Sequence, residues 1–280
     1  MKRLSGPWRR AALGGITLCM LLAAPPGGPG ADAQGKKHRN SVSYRNVTLE
    51  FDGALSKEYL AETVGAVPLE NAGDKPDGVA PQHIVITLRD SYASGLHRDP
   101  SSAYALPQVF VFPASDPADP AFDREFPTVR RAVNELKKLL GRRGGSVMGS
   151  IPFLPWGDER QLLIARKRPV RFRNGRGILF LTQYDQEESP INNSFLVYTF
   201  QGLTDDNAWY VSAVFPVSAQ GLPATGEVEN RQAFRSGYGR YIRTMTEKLN
   251  RLPVKRFTPG LLLLEGMIRS LKVGPRTGRQ

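Results

Sequence analysis

The sequence predicts an α+β domain in which helices pack mainly on one face of an antiparallel β-sheet. Two periodicities in the chain lead to this fold class. In several short segments apolar and polar residues alternate, which is typical of strands with one buried face. In longer segments apolar residues recur at spacings of three and four, which is typical of amphipathic helices. Such helices and strands share one core when the helices cover a face of the sheet.

The predicted strands form two groups along the chain. The first group comprises residues 47–51, 84–88 and 109–112, where apolar side chains alternate or cluster. The second group is an antiparallel meander, because Asn174-Gly175 is a strong hairpin turn signal between two strands. The strands of this second group are predicted at 162–166, 170–172, 178–184, 194–200 and 209–217.

The predicted helices lie before and after this meander. The best-defined helix covers residues 127–141, because its apolar residues fall on one face and glycine ends it. Two C-terminal helices are predicted. The first has its apolar residues between Phe234 and Leu249 on one face, and the second begins at Thr258-Pro259, with Thr258 as N-cap, and ends before Gly274. A short helix is predicted at 56–64, with Ser56 as its N-cap.

Residues 1–33 have the three-part pattern of a secretory signal peptide. A basic start is followed by an uncharged apolar run at 11–24 and by the small-residue site Ala31-Asp32-Ala33. The run is shorter than the about 20 residues that span a bilayer, which favours cleavage over a retained membrane anchor. We therefore expect an exported protein, either periplasmic or secreted. The general secretory and twin-arginine routes both stay open.

Cleavage divides the chain into four predicted segments. These are a signal peptide at 1–33, a basic tether at 34–43, a single α+β domain at 44–273 and a basic tail at 274–280. Cleavage also removes Cys19, the only cysteine of the chain. The mature chain therefore has no thiol for a disulfide, a nucleophile or a thiolate metal site. We expect no cofactor and no metal.

The net charge of the chain suggests an anionic partner. The whole sequence carries a formal charge of +12, and loss of four basic residues and one acid with the signal leaves +9. An exported basic protein can bind anionic lipid head groups, cell-wall polymers or extracellular nucleic acid. The alternative is that the charge only keeps the protein soluble. No protein partner can be named from the sequence.

A candidate anion-binding stripe follows from the alternation of residues around the hairpin. Arg171 and Arg173 alternate with Val170 and Phe172, which predicts that both arginines point away from the core. Arg176 follows the hairpin turn and extends the stripe. The alternative is an ordinary solvated sheet face.

Carboxylates form a second candidate site after the strand that ends near residue 184. Asp185, Glu187 and Glu188 can bind calcium, supply a catalytic carboxylate pair or simply form a solvated turn. A calcium loop requires regular ligand spacing and a glycine turn, and the segment has neither.

Histidines and nearby acids offer a weaker alternative. His83, His97, Asp90 and Asp99 are the residues from which a mixed metal site would be built, and solvated loop positions are the other interpretation. The sequence contains neither a Gly-x-Ser-x-Gly nucleophile elbow nor a glycine-rich phosphate loop.

Several short motifs resemble those of a known group of proteins. They are Val67-Pro68-Leu69, Ile151 to Pro155, Gly175 to Ile178, Tyr198 to Thr204, Tyr210 to Ala213, Phe215-Pro216-Val217 and Phe257-Thr258-Pro259. On these residues the chain resembles an uncharacterised family of exported bacterial proteins, which implies an α+β domain and no particular chemistry. The order of elements is also similar to that of PsbP-like domains, a fold of non-catalytic assembly and binding proteins.

Two functions from different classes follow. The first is a non-catalytic exported protein that binds another envelope or extracellular component. The second is a hydrolase that acts on an extracellular polymer through carboxylates, so enzymatic activity stays open. A buried acid with a partner carboxylate in a cleft would favour the enzyme, and a basic face without one would favour binding.

Processing gives the first testable prediction. We expect the exported protein to begin at Gln34, because Ala31-Asp32-Ala33 is the well-placed small-residue site. N-terminal sequencing of exported material measures this directly. A retained Met1, or a lipid on Cys19, would contradict the signal-peptide interpretation.

Overall fold

The structure is a computed structural model that describes residues 39–71, 78–98, 102, 104–141, 150–155 and 157–275. The strands are β1 (Arg39–Tyr44), β2 (Val47–Asp52), β3 (Ser56–Val64), β4 (His83–Ser91), β5 (Gln108–Pro113), β6 (Arg160–Gln161), β7 (Ala165–Phe172), β8 (Gly175–Thr182), β9 (Tyr184–Asp185), β10 (Val197–Thr204), β11 (Trp209–Pro216), β12 (Ser218–Ala219), β13 (Phe257–Thr258) and β14 (Lys272–Val273). The helices are α1 (Phe122–Glu125), α2 (Pro127–Gly141), α3 (Arg231–Arg251) and α4 (Leu261–Ser270). The predicted signal peptide lies outside the described residues.

Seven strands form the central sheet, in the order β3-β4-β5-β11-β10-β8-β7. Every neighbouring pair is antiparallel, and the predicted Asn174-Gly175 hairpin joins β7 to β8. All eight residues of β10 are buried. A strand buried on both sides needs a packed layer on each face of the sheet. The predicted α+β class with a large antiparallel sheet is confirmed.

Each face of the sheet has its own cover. On one face Phe200 and Phe215 share a core with Leu264 of α4, with α3 and with the small sheet β1-β2-β14. On the other face Phe180 packs with Leu136 of α2 and with the segment 150–155. Helices therefore cover both faces of the sheet. The two longer C-terminal helices, α3 and α4, pack on one face, and α1 and α2 pack on the other. None of the helices in the described part is long and apolar enough to cross a membrane.

A buried polar network joins the middle of the sheet to the segment 150–155. Gln201 on β10 donates to Thr199 Oγ1 at 3.0 Å and to Ser212 Oγ at 2.9 Å. Its Oε1 accepts a hydrogen bond from the Tyr210 hydroxyl at 2.7 Å, and that hydroxyl also lies 3.2 Å from the carbonyl oxygen of Pro152. Such groups can be buried because each of them has a partner.

Three segments differ from the sequence-based expectation. Thr258 does not cap α4: it pairs with Ser218 of β12, and the helix begins at Leu261. Residues 56–64 form the edge strand β3 and not a helix, because they pair with β4 along most of their length. Residues 39–43, predicted as tether, belong to β1, which pairs with β2 in register from Arg39 to Tyr44. Val42 is fully buried in this pairing, which explains why the folded domain starts before residue 44.

Glycines at the β8–β10 contact give a prediction about stability. A Cβ on Gly177 would lie 2.3 Å from the carbonyl oxygen of Gln201 and 2.5 Å from the ring of Phe200, so neither neighbour leaves room for it. We expect Gly177→Ala to destabilise the protein by about 1–3 kcal/mol, the usual cost of overpacking. Urea unfolding monitored by circular dichroism measures the change.

Gly266 on α4 is the matched control, because nothing lies within 4 Å of a Cβ built there. Gly266→Ala should be neutral, or should stabilise by up to about 1 kcal/mol through helix propensity. Equal unfolding midpoints for the two variants would contradict the close packing of Phe200 over Gly177.

Candidate anion-binding surface

The predicted arginine stripe lies at the hairpin between β7, an edge strand of the central sheet, and β8. Val170 and Phe172 are buried, and Arg171 and Arg173 are exposed, as their alternation predicts. Charged side chains and a proline such as Pro169 are typical of edge strands, because they discourage pairing with a second sheet. The charge of this strand therefore has a structural explanation as well as a functional one.

Two arginines of the stripe are paired with carboxylates. Arg171 Nη2 lies 3.1 Å from Asp205 Oδ2, and Arg173 Nη2 lies 3.6 Å from Glu50 Oε1 on β2. Arg176 is exposed opposite Arg171 on β8. Two of the three cations are thus ion-paired, each with a different element. Anion binding by this stripe stays a prediction.

Arg176 has a second cation nearby. It lines a shallow groove of about 330 Å³ together with Lys137 of α2 and Asp205. The groove combines two cations with one carboxylate, which is a weak concentration of positive charge.

A larger group of exposed cations lies on α3 and the turn that follows it. The helix begins after Asn230, whose Oδ1 accepts a hydrogen bond from Ala233 N at 2.9 Å. Met245 and Leu249 on its inner face are buried in the core. Its opposite face is therefore turned to solvent and can hold polar side chains.

Sequence reasoning missed the charge of this segment. Residues 231–256 contain eight Lys or Arg and a single acid, Glu247, which amounts to +7 of the +12 carried by the whole chain. The signal was present in the sequence, because net charge counted in a moving window reveals it. The apolar periodicity of the helix indicates only its inner face.

The positive charge is unevenly compensated along α3. Near the N-terminus, Arg231 and Arg235 both contact Glu187, at 3.2 and 3.5 Å. One to two turns later, Arg240 and Arg243 are exposed and form no ion pair with any described residue. The uncompensated charge therefore begins in the middle of the helix.

The cations continue past the end of the helix. Lys248 Nζ donates to the carbonyl oxygen of Gly221 at 2.6 Å, and Arg251 Nη2 lies 3.2 Å from Glu247. Lys255 and Arg256 are exposed on the next turn. The α3–α4 basic surface is defined as Arg240, Arg243, Lys248, Arg251, Lys255 and Arg256.

Arg166 fixes this end of α3 against the edge strand. Its Nε donates to the carbonyl oxygen of Leu249 at 3.0 Å, a second guanidinium nitrogen contacts the carbonyl oxygen of Leu252, and its backbone N donates to Asn250 Oδ1. The guanidinium lies 5.1 Å from the centre of the Phe257 ring. Arg166 therefore satisfies carbonyls at the helix end and joins β7 to the α3–α4 basic surface.

The carboxylates proposed for catalysis or calcium are held in a turn. Asp185 Oδ2 accepts from Ser189 Oγ at 2.6 Å, and its Oδ1 accepts from Glu187 N at 3.1 Å. Glu187 is the partner of two arginines of α3. Glu188 lines a groove of about 630 Å³ together with Asp185 and Glu187. Asp185 and Glu187 thus have partners within the protein.

Glu265 on α4 is the only buried acid among the described residues, at 6% exposure. Its Oε1 accepts from Arg269 Nη2 at 2.6 Å, and its Oε2 contacts Arg168 of β7. An enzyme that acts through carboxylates is expected to hold a buried acid beside a second carboxylate. The partners of this buried acid are two cations, so its role is to hold α4 against β7.

The histidines lie apart. His83 stacks on Phe112 with 4.4 Å between ring centres, and its Nδ1 lies 2.8 Å from the carbonyl oxygen of Pro81. His97 is exposed, and Asp99 lies outside the described residues. Within the part of the chain that the structure describes, no three His, Cys, Asp or Glu side chains are grouped to hold a metal ion.

Comparison with known proteins adds no identification, since no family model matches this chain and no characterised protein matches it in sequence. The resemblances to exported bacterial proteins and to PsbP-like domains stay predictions. Three of the motifs behind the first resemblance meet in the polar network of Gln201, Tyr210 and Pro152. Those motifs therefore have a packing role in this fold.

The burial of His83 gives a prediction about pH. Burial lowers the pKa of His83, so the folded state disfavours its protonated form. The stability that the neutral ring supports is present above its ordinary pKa of about 6.5 and is lost as the pH falls below it. His83→Phe keeps a ring on Phe112 and cannot be protonated. We expect its melting temperature to fall less than that of the wild type between about pH 8 and about pH 5.5.

His97→Phe, at an exposed loop position, is the control for losing a histidine. The same change in pH dependence for both variants would contradict a special contribution from His83.

Proposed function

We propose that this protein is a non-catalytic exported binding protein, which binds an anionic envelope or extracellular component through the α3–α4 basic surface. The observation that carries the proposal is the exposure of Arg240 and Arg243 on a helix with net positive charge and no ion-pair partner among the described residues. Clustered uncompensated cations raise the local potential and attract anions.

Fold stability does not explain these two arginines. Lys248 and Arg251 lie in the last turn of α3, where positive charge complements the helix dipole. Arg240 and Arg243 lie in the middle of the helix, where the dipole gives no such benefit. They are also three residues apart, and like charges at this spacing destabilise a helix slightly. A partner with negative charge would turn this cost into a gain.

Arginine suits phosphate and carboxylate ligands in particular. Its planar guanidinium can donate two parallel hydrogen bonds to either group, whereas lysine acts as a point charge. Arg240 and Arg251 are separated by 11 residues, which corresponds to about 17 Å along a helix. An extended anion with repeated charges can therefore contact several side chains of the surface at once.

The arginine stripe on β7 is a less favourable site for the same ligand. An anion at Arg171 or Arg173 must compete with Asp205 or Glu50 for the guanidinium group. Exposed ion pairs are individually weak, so such competition is not prohibitive. The stripe is therefore a second surface that can bind the same ligand.

Two triple variants test the proposal with heparin as the probe. The first is Arg240→Gln, Arg243→Gln and Lys255→Gln, and the second is Arg171→Gln, Arg173→Gln and Arg176→Gln. Both remove three exposed positive charges. We expect the first variant to lose about tenfold or more in affinity at low salt, and to reduce the slope of log Kd against log salt by about three. Isothermal titration across a salt series measures both quantities.

Three outcomes contradict parts of this proposal. Equal losses for both triple variants would mean that net charge alone decides affinity. A larger loss for the β7 variant would move the site to the stripe. Absence of binding by the wild-type protein to heparin, nucleic acid and anionic vesicles would contradict anion binding altogether. Both variants should keep the wild-type melting temperature closely, since exposed substitutions cost within about 0.5 kcal/mol.

A further inference from the structure

Two exposed apolar side chains lie at the corner where α3 is followed by α4. Leu262 is 63% exposed, the highest value for a large apolar residue in the described part, and Val254 is 41% exposed. The short turn at Val254–Arg256 contacts α4, so both side chains belong to the same end of the molecule. Leu262 and Val254 are defined as the apolar patch, which adjoins the basic end of α3.

Packing does not require leucine at position 262. Leu261 and Leu264 are buried in the core, and Leu263 packs partly against it. Leu262 points away from them, on the side of α4 where Gly266 and Arg269 are exposed. A polar residue would serve the helix equally well there, because the position contributes nothing to the core.

Positive charge lies beside Val254. Lys255 and Arg256 directly follow Val254, Arg251 precedes it, and all three are exposed. The sequence from Leu252 to Leu264 contains no acidic residue. The nearest acid on α3, Glu247, is paired with Arg251.

We propose that this corner binds the surface of an anionic lipid bilayer and inserts Leu262 and Val254 between the lipid head groups. Exposed apolar side chains next to Lys and Arg combine burial in the head-group region with attraction to anionic lipid. A soluble polyanion would use the cations alone. This inference rests on the proposed function and names the class of anion that the α3–α4 basic surface recognises.

Vesicle co-sedimentation of the processed, secreted protein tests the proposal. The vesicles contain phosphatidylglycerol and phosphatidylcholine, with pure phosphatidylcholine vesicles as reference and heparin as a soluble polyanion. Val254→Gln with Leu262→Gln removes the apolar patch and keeps every charge. Val64→Gln with Leu69→Gln is the matched control, because these side chains are 38% and 45% exposed on and after the edge strand β3.

The apolar variant should lose about tenfold in affinity for anionic vesicles and keep its affinity for heparin. The control variant should bind both as the wild type does. Lys255→Gln with Arg256→Gln should weaken binding to both probes, by about fivefold per charge for the vesicles. Wild-type binding to pure phosphatidylcholine should be weak.

An environment-sensitive dye at position 262 measures insertion itself. The processed chain contains no cysteine if cleavage follows Ala33, so Leu262→Cys provides a unique attachment site. We expect a blue shift of the dye on anionic vesicles and none on heparin. Unchanged vesicle affinity of the apolar variant, with no blue shift, would overturn the insertion proposal and leave anion binding intact. If the wild-type protein binds neither anionic vesicles nor heparin, the proposed function itself is overturned.

Discussion

Burial of the central sheet on both faces is the constraint on which the rest of this structure depends. Because β10 has no exposed residue, the sheet requires one layer from α3, α4 and the small sheet, and another from α2 and the segment 150–155. Polar side chains in the interior must then satisfy one another, as Gln201 and Tyr210 do. Apart from Glu265, which is paired with arginines, the charged side chains of the described residues lie outside the core. The position of the α3–α4 basic surface follows from this exclusion.

Much of this architecture could be predicted from periodicity alone. The hairpin between β7 and β8, the meander and the helices α2, α3 and α4 all follow from local patterns. β3 could not be predicted in this way, because Leu60 and Val64 have helical spacing and its neighbours include good helix formers. Pairing with β4 overrides that local preference. β1 was also missed, because its polar, basic sequence has one buried apolar residue, Val42.

The site was harder to predict, because the meaning of a charge depends on its partner. Arg171 and its partner Asp205 are 34 residues apart, and Arg173 is paired with Glu50 from another layer. No local pattern shows such pairs. The cations of α3 could have been found by counting charge. Only the fold shows that Arg240 and Arg243 form no ion pair with any residue of the described ranges. Sequence thus indicates how much charge is present, and structure indicates where it is uncompensated.

Hydrogen exchange tests the central claim most directly, because it maps the bound surface without any substitution. Backbone exchange of the purified protein is measured with and without a saturating anionic ligand, heparin or phosphatidylglycerol vesicles. The account predicts slowed exchange in peptides that cover residues 240–256, where the α3–α4 basic surface lies. Protection confined to 171–176 or to 185–188, with residues 240–256 unchanged, would contradict it.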